Sequence, residues 1–93
     1  MGRLDELAAD ILDIYARELD EDGQFHHALE ELAKHPPKVS RLYEQDETDH
    51  LREEIVDVLL LAHILRIRAD VDAEDIEASA ERFIDKVDEI YGE

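Results

Sequence analysis

Apolar residues return at three- and four-residue steps along most of the chain, the signature of amphipathic helices. Leu4, Leu7, Ala8, Ile11, Leu12, Tyr15 and Leu19 form one stripe and predict a helix over residues 4–19. Asp20-Glu21-Asp22-Gly23 reads as its terminating turn, with glycine where a left-handed residue is usual. Phe25, Ala28, Leu29, Leu32 and Ala33 predict a second helix over residues 24–34. Pro36-Pro37 is expected to stop it, because a residue ahead of proline is pushed out of helical geometry. Residues 35–49 then read as a connector, with at most one short helical turn at 39–43. A third helix is expected from Thr48 or Asp49 to Arg68. Its middle, from Ile55 to Leu65, is apolar on every side, which places it at the centre of a bundle or against a partner subunit. Asp72, with Asp75 at the third position, caps a fourth helix. In that helix Ile76, Ala80, Phe83, Val87 and Ile90 alternate steps of four and three, the seam of a packed helix pair.

These elements give an all-α fold: one domain over residues 1–93, arranged as a four-helix antiparallel bundle. A chain of 93 residues buries only about 60–65% of the surface its unfolded form exposes. The bundle is therefore expected to be completed by homo-oligomerisation, as a homodimer or homotetramer. Only 3 Gly and 2 Pro occur, and no alternating run bounded by Asn-Gly or Asp-Gly supports a β-sheet. The absence of cysteine excludes disulfides, thiolate metal sites and cysteine nucleophiles. The N-terminal residues lack the apolar run of a secretory signal. The longest apolar stretch, residues 55–65, contains Asp57 and His63 and falls short of the ~20 residues that span a bilayer. A soluble, cytoplasmic protein is expected.

Charge narrows the partners. The net charge of −17 repels nucleic-acid backbones and anionic membranes, so neither is expected as a partner. Asp and Glu total 27, whereas lysine stands only at positions 34, 38 and 86. That balance suits a salt-adapted, halophilic cytoplasm, where ionic strength screens the self-repulsion. An acidic partner-binding protein of an ordinary cell is the alternative.

Asp57 is the residue a pure scaffold would not place, because it lies among Ile55, Val56, Val58, Leu59, Leu60 and Leu61. An unpaired buried carboxylate costs several kcal/mol and needs a matching cation, or else becomes neutral. Glu53 and Glu54 stand one turn earlier, and His50, Glu54 and Asp57 share a stripe that runs into Leu61 and Ile64. Glu54 and Asp57, three residues apart on a helix, can turn oxygen ligands toward one point, which suits hard cations such as Mg2+ or Mn2+. The competing reading is an acidic first turn stabilised by the helix dipole, with Asp57 paired to Arg41 or Arg66.

The run Glu53-Glu54-Ile55-Val56-Asp57-Val58-Leu59-Leu60, followed after Arg68 by Asp70-Val71-Asp72 and a new helix, resembles the second half of MazG-type all-α nucleotide pyrophosphohydrolases. These and the related phosphoribosyl-ATP pyrophosphohydrolases carry Glu-x-x-Asp on a central apolar helix. Residues 81–87, Glu-Arg-Phe-Ile-Asp-Lys-Val, also resemble the family's basic-aromatic closing segment. The match covers residues 48–91 well and residues 1–35 loosely. The family's other motif, Glu-Glu-x-x-Glu on the second helix, is incomplete. One register makes Glu31 the last acid and puts His27 and Ala28 in the leading positions; the other makes Glu30 and Glu31 the leading pair and puts Lys34 in the last. Glu31 is a carboxylate in both.

The resemblance implies that the acids hold Mg2+ (or Mn2+), which binds the substrate's phosphates and helps activate water beside the α-phosphorus. Products would be a nucleoside monophosphate and pyrophosphate. The implied catalytic residues are Glu31, Glu54 and Asp57; Glu30, His27 and Glu53 join them as candidate metal ligands, and Arg82 or Lys86 as phosphate contacts. For Arg82 and Lys86 a solvated helix face is the plainer reading. His63 reads as a core histidine and His35 as part of the helix-ending His-Pro-Pro; Tyr15, Tyr43 and Phe83 could stack a base, although aromatics at core spacing are usually core. Three functions follow: an active nucleotide pyrophosphohydrolase, a MazG-like bundle without catalysis that binds or regulates, or an unrelated acidic helical interaction protein.

Overall fold

The computed structural model describes residues 2–92. Among them every regular element is helical, in the order α1 (Gly2–Tyr15), α2 (Glu21–Glu44), α3 (Thr48–Arg68) and α4 (Ala73–Tyr91). No helix among these residues is long and apolar enough to cross a membrane.

α4 begins, and α2 and α3 end, where their polar punctuation puts them. Asp72 accepts from Asp75 N at 2.9 Å, and the Asp75 side chain accepts from Asp72 N at 3.1 Å, so a complete capping box opens α4. Both chain reversals flanking α3 use an aspartate in the left-handed region. Asp46 and Asp70 each have φ 55°. After α2, Glu47 N donates to Leu42 O and Asp46 N to Tyr43 O; after α3, Val71 N donates to Arg66 O and Asp70 N to Ile67 O. Each pair is a Schellman closure built without glycine.

Two predicted boundaries are corrected. Residues 20–23 do not end α1 with a left-handed glycine: no glycine has positive φ, and Asp20 caps α2 by accepting from Gly23 N at 2.8 Å. α1 instead finishes at Tyr15, four residues short of the predicted end. The larger correction is that α2 passes straight through Pro36-Pro37 and absorbs most of the predicted connector. Each proline leaves the carbonyl one turn back, at Leu32 and Ala33, without its usual amide donor. Contacts along the rest of α2 outweigh that loss, from Gln24 against Arg68 at one end to His35 and Lys38 against Glu54 further along. Replacing both prolines with alanine is expected to stabilise the fold by about 1–3 kcal/mol, because an interior proline costs ~3 kcal/mol against alanine and restricts the unfolded chain by less. Urea unfolding measures this, and a loss of stability would mean that the helix breaks at the pair.

α3 is the shared element, packing against both α1 and α2. The core is small: Ala8, Leu12, Ala28, Leu61 and Ile64, with Ile11, Tyr15, Leu32, Leu65 and Ile67 partly buried around them. Ala8 and Ala28, both fully covered, let α1 and α2 approach α3 closely. The other side of α3 is open, with Ile55, Val56 and Leu59 exposed. α4 buries none of its residues. Asp57 is likewise exposed, which corrects the expectation of a carboxylate sunk among apolar side chains.

Candidate metal centre

The buried carboxylate of α3 is Glu54, 6% exposed. It lies on the face that carries Leu61 and points at α2. There Glu54 Oε2 meets His35 Nδ1 in a short contact, and Lys38 Nζ donates to Glu54 Oε1 at 3.4 Å. The His35 hydrogen bond holds the Glu54 carboxyl below the usual carboxylate range; burial pushes the other way, and the Lys38 charge adds to the lowering.

That direction fixes a pH dependence. A carboxyl whose pKa is lower in the folded chain adds stability above its unfolded value of about 4.3, and the contribution is lost as pH falls through the folded value. In metal-free protein, stability is therefore expected to fall more steeply below that point for the wild type than for Glu54→Gln. Denaturant unfolding in chelator across the acid range checks this; equal slopes would show that the pair does nothing for the fold.

Asp57 stands one turn after Glu54. One ligand atom from each of His35, Glu54 and Asp57 lies within 4.8 Å of the others. The burial is graded: Glu54 buried, His35 half-buried, Asp57 exposed. Such a group can close around one cation while leaving a wet side toward a ligand. The donors are an imidazole nitrogen and carboxylate oxygens, a set that suits Mn2+ and, less closely, Mg2+.

The centre opens onto a cleft of about 220 Å³ lined by Ile11, Tyr15, Glu31, His35, Asp57, Leu60, Leu61 and Ile64. Glu31 thus faces the same space as Asp57. Its own partner is Lys34 Nζ, at 2.8 Å, and that hydrogen bond holds the Glu31 carboxyl low. Tyr15 also lines the cleft; burial, then the negative charge of Glu31, pushes its hydroxyl pKa up. Comparison of the chain with family models, curated proteins and solved structures gives no match.

Of the residues singled out from the sequence, Glu54 and Asp57 fall in the cluster and Glu31 on its cleft. His27 is exposed, its ring edge-on to Tyr15 with centroids 5.1 Å apart. Glu30 and Glu53 are exposed on α2 and α3, outside the cluster. Arg82 and Lys86 lie on the exposed surface of α4 and line neither the cleft nor the cluster. The residues that sequence reasoning missed are His35 and Lys38. Ending α2 at the proline pair hid them. With the helix continued, Glu31 and His35 stand four residues apart on one face.

Proposed function

We propose that this chain is a divalent-metal-dependent nucleotide pyrophosphohydrolase of the MazG-like kind, acting on a nucleoside triphosphate or related nucleotide. The observation that carries the reading is the convergence of His35, Glu54 and Asp57 within 4.8 Å, beside a cleft that also holds Glu31. Mg2+ or Mn2+ held by these side chains would neutralise phosphate charge and help activate water.

The chain's own residues do the rest. Glu54, anchored by His35 and Lys38, fixes the buried side of the centre. Asp57 presents its carboxylate at the mouth, where a polyphosphate arrives. Glu31, which lines the same cleft, would accept a proton from the water molecule that attacks the α-phosphorus; the α–β anhydride bond would break and pyrophosphate would leave. A chain at −17 needs cations between itself and such a substrate. The antiparallel arrangement of the four helices and its completion by another copy belong to the same proposal. The test is incubation with a panel of nucleoside triphosphates in high salt, with Mg2+, with Mn2+ and with chelator. Metal-dependent pyrophosphate release is expected, and its absence with every nucleotide would overturn the reading.

A specific observation favours a second reading, a binding or regulatory module without turnover. Glu54 is already satisfied by His35 and Lys38, and Glu31 by Lys34. Metal and nucleotide would then raise the melting temperature with no product formed.

A further inference from the structure

The chain exposes 7356 Å², whereas a folded monomer of 10.8 kDa exposes about 5,500 Å². Its radius of gyration is 15.6 Å, against about 12 Å for a compact domain of this length. Both excesses have one source. In α4, Ile76, Phe83, Ile84, Val87, Ile90 and Tyr91 fall within an arc of about 120°, and all are exposed, Phe83 by 68% and Ile90 by 63%. The outward face of α3 adds Ile55, Val56 and Leu59, each more than 40% exposed. The two surfaces are continuous, because Ile76 and Ala73 share a cleft with Leu59 and Ala62.

We propose that a second copy of this chain covers this surface, the α4 stripe of each copy lying on the outward α3 face of the other. The chain's own α4 does not cover it, since α4 buries none of its side chains. Val71 N bonded to Arg66 O fixes its exit from α3, and the Asp72–Asp75 capping box fixes its first turn. Covering these nine side chains removes on the order of 900 Å² per copy, enough for a stable interface of about 800 Å² per partner.

Charge makes the surface self-complementary. One edge of the α4 stripe carries Glu77, Glu81 and Asp88, and the other carries Arg82 and Lys86. Arg52 stands exposed on the apolar face of α3, one turn before Ile55 and Val56. Among the described residues it pairs with no carboxylate of its own chain. It matches the acidic edge of a neighbour's α4. A surface holding both halves of the match closes with two-fold symmetry.

The association has an unusual sign of salt dependence. Each copy brings a net charge of −17, and that long-range repulsion is screened as the Debye length falls from about 10 Å at 0.1 M to about 3 Å at 1 M. Dimerisation is expected to tighten with salt by roughly tenfold or more over that range, the reverse of an interface held by ion pairs.

Sedimentation equilibrium of the intact protein at low and molar salt, with and without chelator, tests this independently of the metal centre. The expected result is a dimer that strengthens with salt. Phe83→Glu with Ile90→Glu is expected to give a helical monomer, and Arg52→Glu, at a solvent-facing site, to weaken the dimer at least tenfold. Because the chain has no cysteine, a single Val87→Cys reports cover directly, its thiol reacting slowly in the dimer and fast after dilution. A wild type that stays monomeric at every salt overturns the proposal, whether it turns compact or stays extended in solution scattering. A dimer in which the Val87→Cys thiol stays freely reactive and Arg52→Glu has no effect overturns it equally.

Discussion

Replacing Asp57 by asparagine is expected to lower metal-dependent pyrophosphate release by roughly 10²-fold or more, the size of effect seen when one preorganised electrostatic group is removed from a reacting centre. Asparagine keeps the shape and one oxygen but loses the charge that a cation needs. Because Asp57 is exposed and takes no part in the core, stability should stay within about 0.5 kcal/mol of wild type. Activity and stability therefore separate at this residue. At Glu54 they do not, since its substitution also strips His35 and Lys38 of their shared partner. Steady-state kinetics in Mn2+ and in Mg2+, alongside a denaturant unfolding curve, make the comparison. Full activity in Asp57→Asn would remove the metal-centre account of catalysis.

The largest effect on the fold is expected at Ile64, the biggest side chain that is completely covered. It sits on the side of α3 that meets α1 and α2, among Ala8, Leu12, Ala28 and Leu61. Ile64→Ala deletes methylene and methyl groups from a core with few other large members, and such changes cost about 2–5 kcal/mol. For a domain of this size that corresponds to a fall in Tm of roughly 10 °C or more. Ile84→Ala provides the contrast. Ile84 is 63% exposed on α4, so in dilute, low-salt protein its loss should cost within about 0.5 kcal/mol. At high salt and high concentration the same substitution should begin to matter, because the proposed second copy would then cover the stripe. Equal melting losses for both variants in dilute protein would contradict this division between a core and an unpartnered surface.

How far the sequence carried the fold depends on which signals were local. The extent of α3 was legible to within a residue or so from its unbroken apolar run, and the start of α4 from Asp72 and Asp75, which form a capping box whose spacing is written in the chain. α2 was not, because a proline pair is a strong local stop signal and only tertiary contact with α3 overrules it. His35 and Lys38 act on Glu54 across 19 and 16 residues, and no local pattern reports a contact at that separation. The same lack of tertiary information reversed the roles of two acids. Periodicity marked Glu54 and Asp57 as neighbours on one face, and they are. It could not say which of them α2 covers, so Asp57 was assigned the buried position that Glu54 holds. The heptad-like steps of Ile76, Phe83, Val87 and Ile90 read as the seam of a packed helix pair, but among the described residues α4 buries none of its side chains, because periodicity marks an apolar face without saying what covers it.

The proposed function requires that His35, Glu54 and Asp57 together hold one divalent cation. Mn2+ titration followed by electron paramagnetic resonance counts bound ions directly and needs no substrate or turnover. Screening salt should be present throughout, so that the general negative charge of the chain does not collect ions by itself. One saturable Mn2+ per chain is expected, displaced by Mg2+ and weakened at least tenfold by either Asp57→Asn or His35→Ala. Mn2+ binding that is non-saturable, or that is unchanged in both variants, would contradict it.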